Sequence, residues 1–300
     1  MSGRRMFEIR AALGLPSAST EAGAVFKPAE LRALDKLLGF LSDPAPYFQQ
    51  GNATDNAQLV AVCGNWYDLP HKAHILARTP KTTELLLAGG RAERLTSADA
   101  ERVGGEPLLL QRRLVERYSV DVRRTIVWSG SRVTNHNLLA ALAYAKQVRD
   151  FSQRRTDTTF VEERFLVRRE AASLAHLLGA DAAARDAVAS VRFHGVGARS
   201  FSALTRLHRG RHDIALALLL GEFDRLERYA TNFGNSSTTT HGSRKRTHAL
   251  LGRGALDGLG VPLRRNLAAI RTTHAALLAK GRELLERAPR QQMQREAAPG

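Results

Sequence analysis

Glu106, Asn135, Asn137, Arg168 and Arg169 are residues whose types and spacing suit a ligand-binding cleft. Each stands at or near the start of a segment with helical periodicity, where unpaired backbone N–H groups collect. A guanidinium presents a planar fork of donors, so Arg168 or Arg169 is a candidate clamp for phosphate or carboxylate. One of the two is expected to enter the cleft and its neighbour to face solvent. Asn135 and Asn137 suit the orientation of ribose or amide groups, and they equally suit capping of the helix they open. Glu106 has the chemistry of a general base or of an acceptor for a ribose hydroxyl. The same placement also serves a carboxylate at the positive end of its own helix.

Other reactive groups carry less. Cys63 is the sole cysteine, so no internal disulfide and no multi-cysteine metal site is expected. As a nucleophile it needs a base, for which His71 or His74 are the candidates, whereas a lone cysteine ordinarily packs. His71 and His74 also have the spacing of a helical metal pair, but no third ligand is evident and none is expected. Ser129 lies in Trp-Ser-Gly-Ser, which is not the Gly-x-Ser-x-Gly of a nucleophile elbow. Gly89-Gly90 lacks the spaced third glycine of a dinucleotide fingerprint. Trp66 and Tyr67 suit either stacking on a ligand or partial burial. Glu222 suits a buried pair with an arginine.

These groups need elements to position them, and extended and helical patterns alternate along the chain. Helices are expected over 28–41, 69–78, 106–118, 137–148, 164–178, 211–229 and 262–287, with Leu109, Leu110, Leu114 and Val115 on the inner side of the third. Short apolar runs predict strands at 58–65, 83–88, 125–128, 158–161 and 189–193, the unbroken character of the first matching a sheet covered on both faces. The alternation predicts an α/β fold, a Rossmann-like doubly wound, mostly parallel sheet with helices on both faces and a C-terminal helical extension. An N-terminal extension (1–25), a single domain (26–287) with a mobile loop at about 232–260, and a polar tail (288–300) complete the organisation.

In such a sheet, ligands settle outside the carboxyl ends of the strands. Small and polar residues recur at those ends: Gly64 and Asn65, Gly89 and Gly90, then 129–137 with Thr134, Asn135 and Asn137, and finally Glu163 and Arg164. Glycine admits close approach there because it has no Cβ.

Of the 300 residues, 43% are hydrophobic and 25% charged, enough to bury a core. The net charge of +16 predicts non-specific attraction to polyanions. Its arginines are dispersed, however, and with 6% aromatic residues there is little to stack single-stranded bases. The longest apolar run, Ile214–Leu220, is too short for a transmembrane helix. Arg4, Arg5 and Arg10, interrupted by Glu8, do not make a secretory signal, and the expected location is cytoplasmic, with a mitochondrial transit segment also compatible.

Five stretches carry a resemblance to the SanA/YdcF/ElyC-like family, a domain of unknown function, from about Phe26 to about Lys280. Cys63-Gly64-Asn65 resembles its first strand closed by a Gly turn. Leu86-Leu-Ala-Gly89-Gly90 followed by Glu106 is similar to its second strand, glycine pair and acidic residue. Ser131-Arg-Val-Thr134-Asn135 with Asn137 resembles its Thr/Asn turn, although His136 stands where the family usually has Glu. Glu163 to Arg169, and Gly221-Glu222 with Arg225, Leu226 and Tyr229, resemble two later helical segments. The resemblance implies a Rossmann-like sheet with a cleft lined by these turns, in the soluble YdcF-like branch, and brings no established reaction. The expected ligand is small and anionic or nucleotide-like, with S-adenosylmethionine or another nucleotide as the cofactor candidate. Transferase or hydrolase chemistry, a non-catalytic binding or regulatory module, and a basic protein at an RNA or membrane surface are the three readings left open.

Overall fold

The computed structural model describes residues 26–63, 69–89, 105–130, 134–208 and 210–232, with single positions at 275 and 279. The chain divides into two compact units. One comprises the described residues of Ser42–Gly197, the other those of Met1–Leu41 and Ala198–Thr231.

The first unit is a three-layer α/β/α domain. Its strands are β1 (Gln49–Gln50), β2 (Leu59–Cys63), β3 (Glu84–Ala88), β4 (Thr125–Trp128), β5 (Thr156–Glu163) and β6 (Val188–Val196). They form one sheet in the order β1-β6-β5-β2-β3-β4, and every neighbouring pair is parallel. The chain builds outward from β2 to β3 and β4, then returns to lay β5 and β6 on the other side of β2. This is the doubly wound, Rossmann-like arrangement, and its direction reverses between β2 and β5.

Strand alternation divides the core in two. Leu59, Ala61, Cys63, Leu86, Ala88 and Phe160 point to one face, against α4 (Thr134–Ser152), α5 (Val167–Ala180) and α6 (Ala182–Ala187). Val60, Val62, Leu85, Leu87 and Val161 point to the other, against α2 (Leu69–Ala77) and α3 (Glu106–Tyr118). A strand buried on both faces has no polar side to display, which is why β2 reads as an uninterrupted apolar run.

Local chemistry sets the element ends. Gly105, at φ 90°, precedes α3, a backbone that favours glycine, and Pro107 occupies the first turn, where its missing N–H costs nothing. Asp181 caps α6 by accepting from Ala184 N. Arg124 fixes the turn that launches β3: its Nε donates to Thr83 O at 3.1 Å and its Nη2 to Thr79 Oγ1 at 3.0 Å and Pro80 O at 2.6 Å.

In the second unit, α1 (Pro28–Ser42), α7 (Phe201–Leu207) and α8 (His212–Asn232) carry the order. Phe26 packs edge-on against Phe201, with ring centroids 5.6 Å apart, and Phe201 N donates to Asp35 Oδ1 at 2.6 Å. Glu222 is fully buried and accepts from Arg225 Nη1 at 3.1 Å, the pairing expected of it. No helix among the described residues is long and apolar enough to cross a membrane.

Two expectations need correction. Val115 is an outward residue of α3 at 36% exposure, because only Leu110 and Leu114 reach the core. Neither Arg168 nor Arg169 faces solvent; both are buried in the first turn of α5. The expected helix at 262–287, the loop at 232–260 beyond Asn232, and the two terminal segments lie outside the described residues.

β6 shows how the sheet edge responds to pH. His194 Nδ1 lies 3.2 Å from Gly51 O, which follows β1. Burial lowers the affinity of the ring for a proton and nearby Arg164 and His71 add to that, while the Gly51 carbonyl opposes it. The unfolded chain therefore takes up a proton near the ordinary value of 6.5 that the folded protein resists. This contribution to stability is complete above that value and is lost as pH falls. Thermal melts should show the midpoint declining between pH 7 and pH 5, and the decline should be smaller in His194→Asn, whose amide keeps a donor for Gly51 O.

Candidate functional site

The reversal of strand order places the ends of β2 and β5 side by side, and there the apolar pattern of both strands stops. β2 ends on Cys63; β5 continues into Glu162 and Glu163, each 1% exposed. Alternation turns Glu162 to the same face as Phe160 and Cys63, and Glu163 to the face of Val161. Two acidic side chains thus straddle the end of one central strand.

Lys72 joins them. It lies on the buried stripe of α2 beside Ala73 and Leu76, and is 1% exposed. Its Nζ donates to the Cys63 carbonyl oxygen at 3.2 Å and to Glu162 Oε1 at 3.4 Å, and stands 3.8 Å from Glu163 Oε1. Burial works against its charge, but Glu162, Glu163, Cys63 and Glu106 together more than offset that and hold its pKa above the ordinary lysine value. Lys72 is therefore an ammonium ion, not a neutral nucleophile.

On the opposite face, one ligand-type atom each of Cys63, Glu162 and Glu170 lies within 4.8 Å of the others. Burial pushes the Cys63 thiol well up, and the charges of Glu170 and Glu162 and a hydrogen bond with Glu170 add to this, with Lys72 opposing. The thiol stays protonated, so the nucleophile expectation for Cys63 loses its chemical basis. His74 packs against Tyr118, with ring centroids 6.2 Å apart, and His71 lies close enough to His194 to lower its proton affinity.

Glu106 approaches from α3. It is buried, and a Cβ placed on Gly89 would lie 3.4 Å from Glu106 Oε2 and 3.1 Å from Pro107 Cδ. The bare backbone at Gly89 is what lets the first turn of α3 come down on the end of β3. Lys72 and Glu106 share a small cavity with Val62, Leu87, Ala88 and Pro107. Glu106, Glu162 and Glu163 thereby gather around the single ammonium of Lys72.

The other expected site residues separate into three groups. Arg168 donates through Nη2 to Asp43 Oδ2 at 3.1 Å, and Arg169 Nη2 lies 3.8 Å from Glu170 Oε1. Both guanidinium groups hold carboxylates of the protein itself. Asn137 is 6% exposed in the first turn of α4, and its Oδ1 accepts no hydrogen bond among the described residues; Thr134 and Asn135 belong to the same turn. Gly64, Asn65 and Gly90, like Trp66 and Tyr67, lie outside the described residues.

Lys72, Glu162 and Glu170 were not singled out from the sequence. A signal did exist: Glu162-Glu163 closes a run otherwise apolar or threonine-rich, and Lys72 interrupts the apolar stripe of α2. Charged residues at such positions must be paired when buried. The chain matches no protein-family model and no curated protein.

Proposed function

We propose that the crevice outside the ends of β2, β3 and β5 binds a small nucleotide-like molecule, and that it does so through the hydroxyl-bearing or cationic part of that molecule. The observation that carries this reading is the convergence of Glu106, Glu162 and Glu163 on Lys72 at the point where the strand order reverses. Three carboxylates act on Lys72 there, and carboxylate oxygens accept hydrogen bonds from hydroxyl and ammonium donors. The arginines that would have gripped a phosphate are engaged by Asp43 and Glu170. Ribose hydroxyls are natural donors to such a floor. S-adenosylmethionine combines them with a sulfonium and an amino group, and is the first compound to test. The resemblance to the soluble YdcF-like branch supports the same reading through the shared order of strand ends, glycines and Glu106. Glu106 has the position to act as a base on a bound hydroxyl, with Lys72 steadying the charge that develops.

Thermal shift tests this. At a concentration near 100 times its Kd, a ligand of the native state adds about 2.7 kcal/mol, roughly 5 to 10 °C for a domain of this size. S-adenosylmethionine or adenosine should raise the melting temperature, inorganic phosphate should not, and Glu106→Gln should remove the shift while still melting cooperatively. Gly89→Val, which drives a side chain into Pro107 and Glu106, should remove it as well. No response to any nucleoside would dispose of the reading.

A further inference from the structure

On the face of the sheet covered by α4, the helix packs on β2, β3, β5 and β6, and the edge strand β4 runs beside it. Between the two lies a groove of about 390 Å³, a size typical of small-molecule sites. Leu86, Ile126 and Trp128 line it from the strands; on the α4 side Ala140 and Ala143 lie between His136 and Tyr144, with Gln147 beyond. Trp128 is 49% exposed, and an exposed tryptophan beside an apolar groove marks a place where contact with a partner would be favourable.

The polar groups say which partner. Tyr144 Oη donates to Glu84 Oε2 at the start of β3. Glu84 is exposed, and Tyr144 is its only side-chain partner among the described residues. Glu84, hydrogen-bonded to the groove-lining Tyr144, sets a negative charge beside the groove, and the electron-rich faces of Trp128 and Tyr144 add to its attraction for a cation. His136 lies eight residues before Tyr144 on α4, about 12 Å away along the axis, and does not compete at the Glu84 end.

We propose that this groove is a binding site for a small molecule that joins an aromatic ring to a cationic amine. The ring lies over Ile126 between Trp128 and Tyr144, and the ammonium group meets Glu84. The site is separate from the Lys72 crevice and stands or falls independently of it.

Tryptophan emission reads the groove directly, because the chain has two tryptophans and Trp66→Phe leaves Trp128 alone. This variant is titrated with 4-phenylbutylamine and with 4-phenylbutanoate, which match in shape and oppose in charge. The amine should change the Trp128 emission saturably, and the carboxylate should bind about ten-fold more weakly or less. Adding Glu84→Gln should bring the two affinities together without lowering cooperativity of melting. Absence of a saturable change, equal affinity for both compounds in the Glu84 protein, or a Trp128 emission that shifts with protein concentration alone, as it would if a second copy covered the groove, would each overturn the proposal.

Discussion

Replacing Lys72 by methionine should destabilise the sheet domain by about 3–5 kcal/mol, the cost of removing one partner of a buried ion pair. Lys72 holds three things together: the end of β2 through the Cys63 carbonyl, Glu162 at 3.4 Å and Glu163 at 3.8 Å. Methionine fills nearly the same volume, so the loss is electrostatic and not a cavity. Two carboxylates at the end of the central strand then lose the ammonium that they share. Urea denaturation at pH 7 is the measurement, with the double variant Lys72→Met, Glu162→Gln as its control. If the pair is coupled as the geometry requires, the second substitution restores part of the stability. Equal stability of Lys72→Met and the parent would show that this lysine is not the partner of the two carboxylates. The raised pKa of Lys72 has a consequence of known sign. The stabilisation is complete below the ordinary lysine value of 10.5 and is lost as pH rises through the folded value.

The second large effect is expected at Phe160. Its ring stacks on Phe193 of the neighbouring strand, with centroids 5.3 Å apart and planes 19° apart, and Phe193 in turn meets Phe48 at 5.7 Å. Phe160 is 1% exposed in the core beneath α5 and α6. Truncation to alanine should cost about 3–5 kcal/mol, combining lost transfer energy with an unfilled cavity. The site should feel it too, because Phe160 and Glu162 lie on one face of β5, two residues apart. Phe160→Leu, which retains most of the volume, should cost less than half as much and keep the nucleoside response that Phe160→Ala weakens. Identical midpoints for Phe160→Ala and the parent protein in denaturant would contradict the packing described here.

The buried cluster bears on how the proposed site would work. A protonated thiol, an ammonium ion and several carboxylates in one place make a poor nucleophile and a good acceptor surface. Catalysis there would draw on proton transfer and charge stabilisation by Glu106 and Lys72. That distinguishes the site from the β4 groove, whose lining is mostly apolar and aromatic and which meets Glu84 through Tyr144.

The sequence by itself determined the layered architecture. The apolar runs of β2 and β3, separated by amphipathic segments, match a parallel sheet covered on both sides. Two elements, Glu106–Tyr118 and Thr125–Trp128, are bounded as their residues predict, because Gly105, Pro107 and the short apolar run punctuate them unambiguously. The two-residue β1, the short α6 and α7 were not visible in advance, since a strand or helix of so few residues is stabilised by its neighbours and not by its own pattern. The placement of charge was decided only by the tertiary structure. Arg168 and Arg169 read as a clamp open to ligand, yet Asp43, 125 positions away from Arg168 in the chain, holds one of them. Lys72 and Glu162 are 90 positions apart and meet because the strand order reverses between β2 and β5. Periodicity reports which side of an element is buried; which charges find each other inside is a property of long-range packing, and no local pattern contains it.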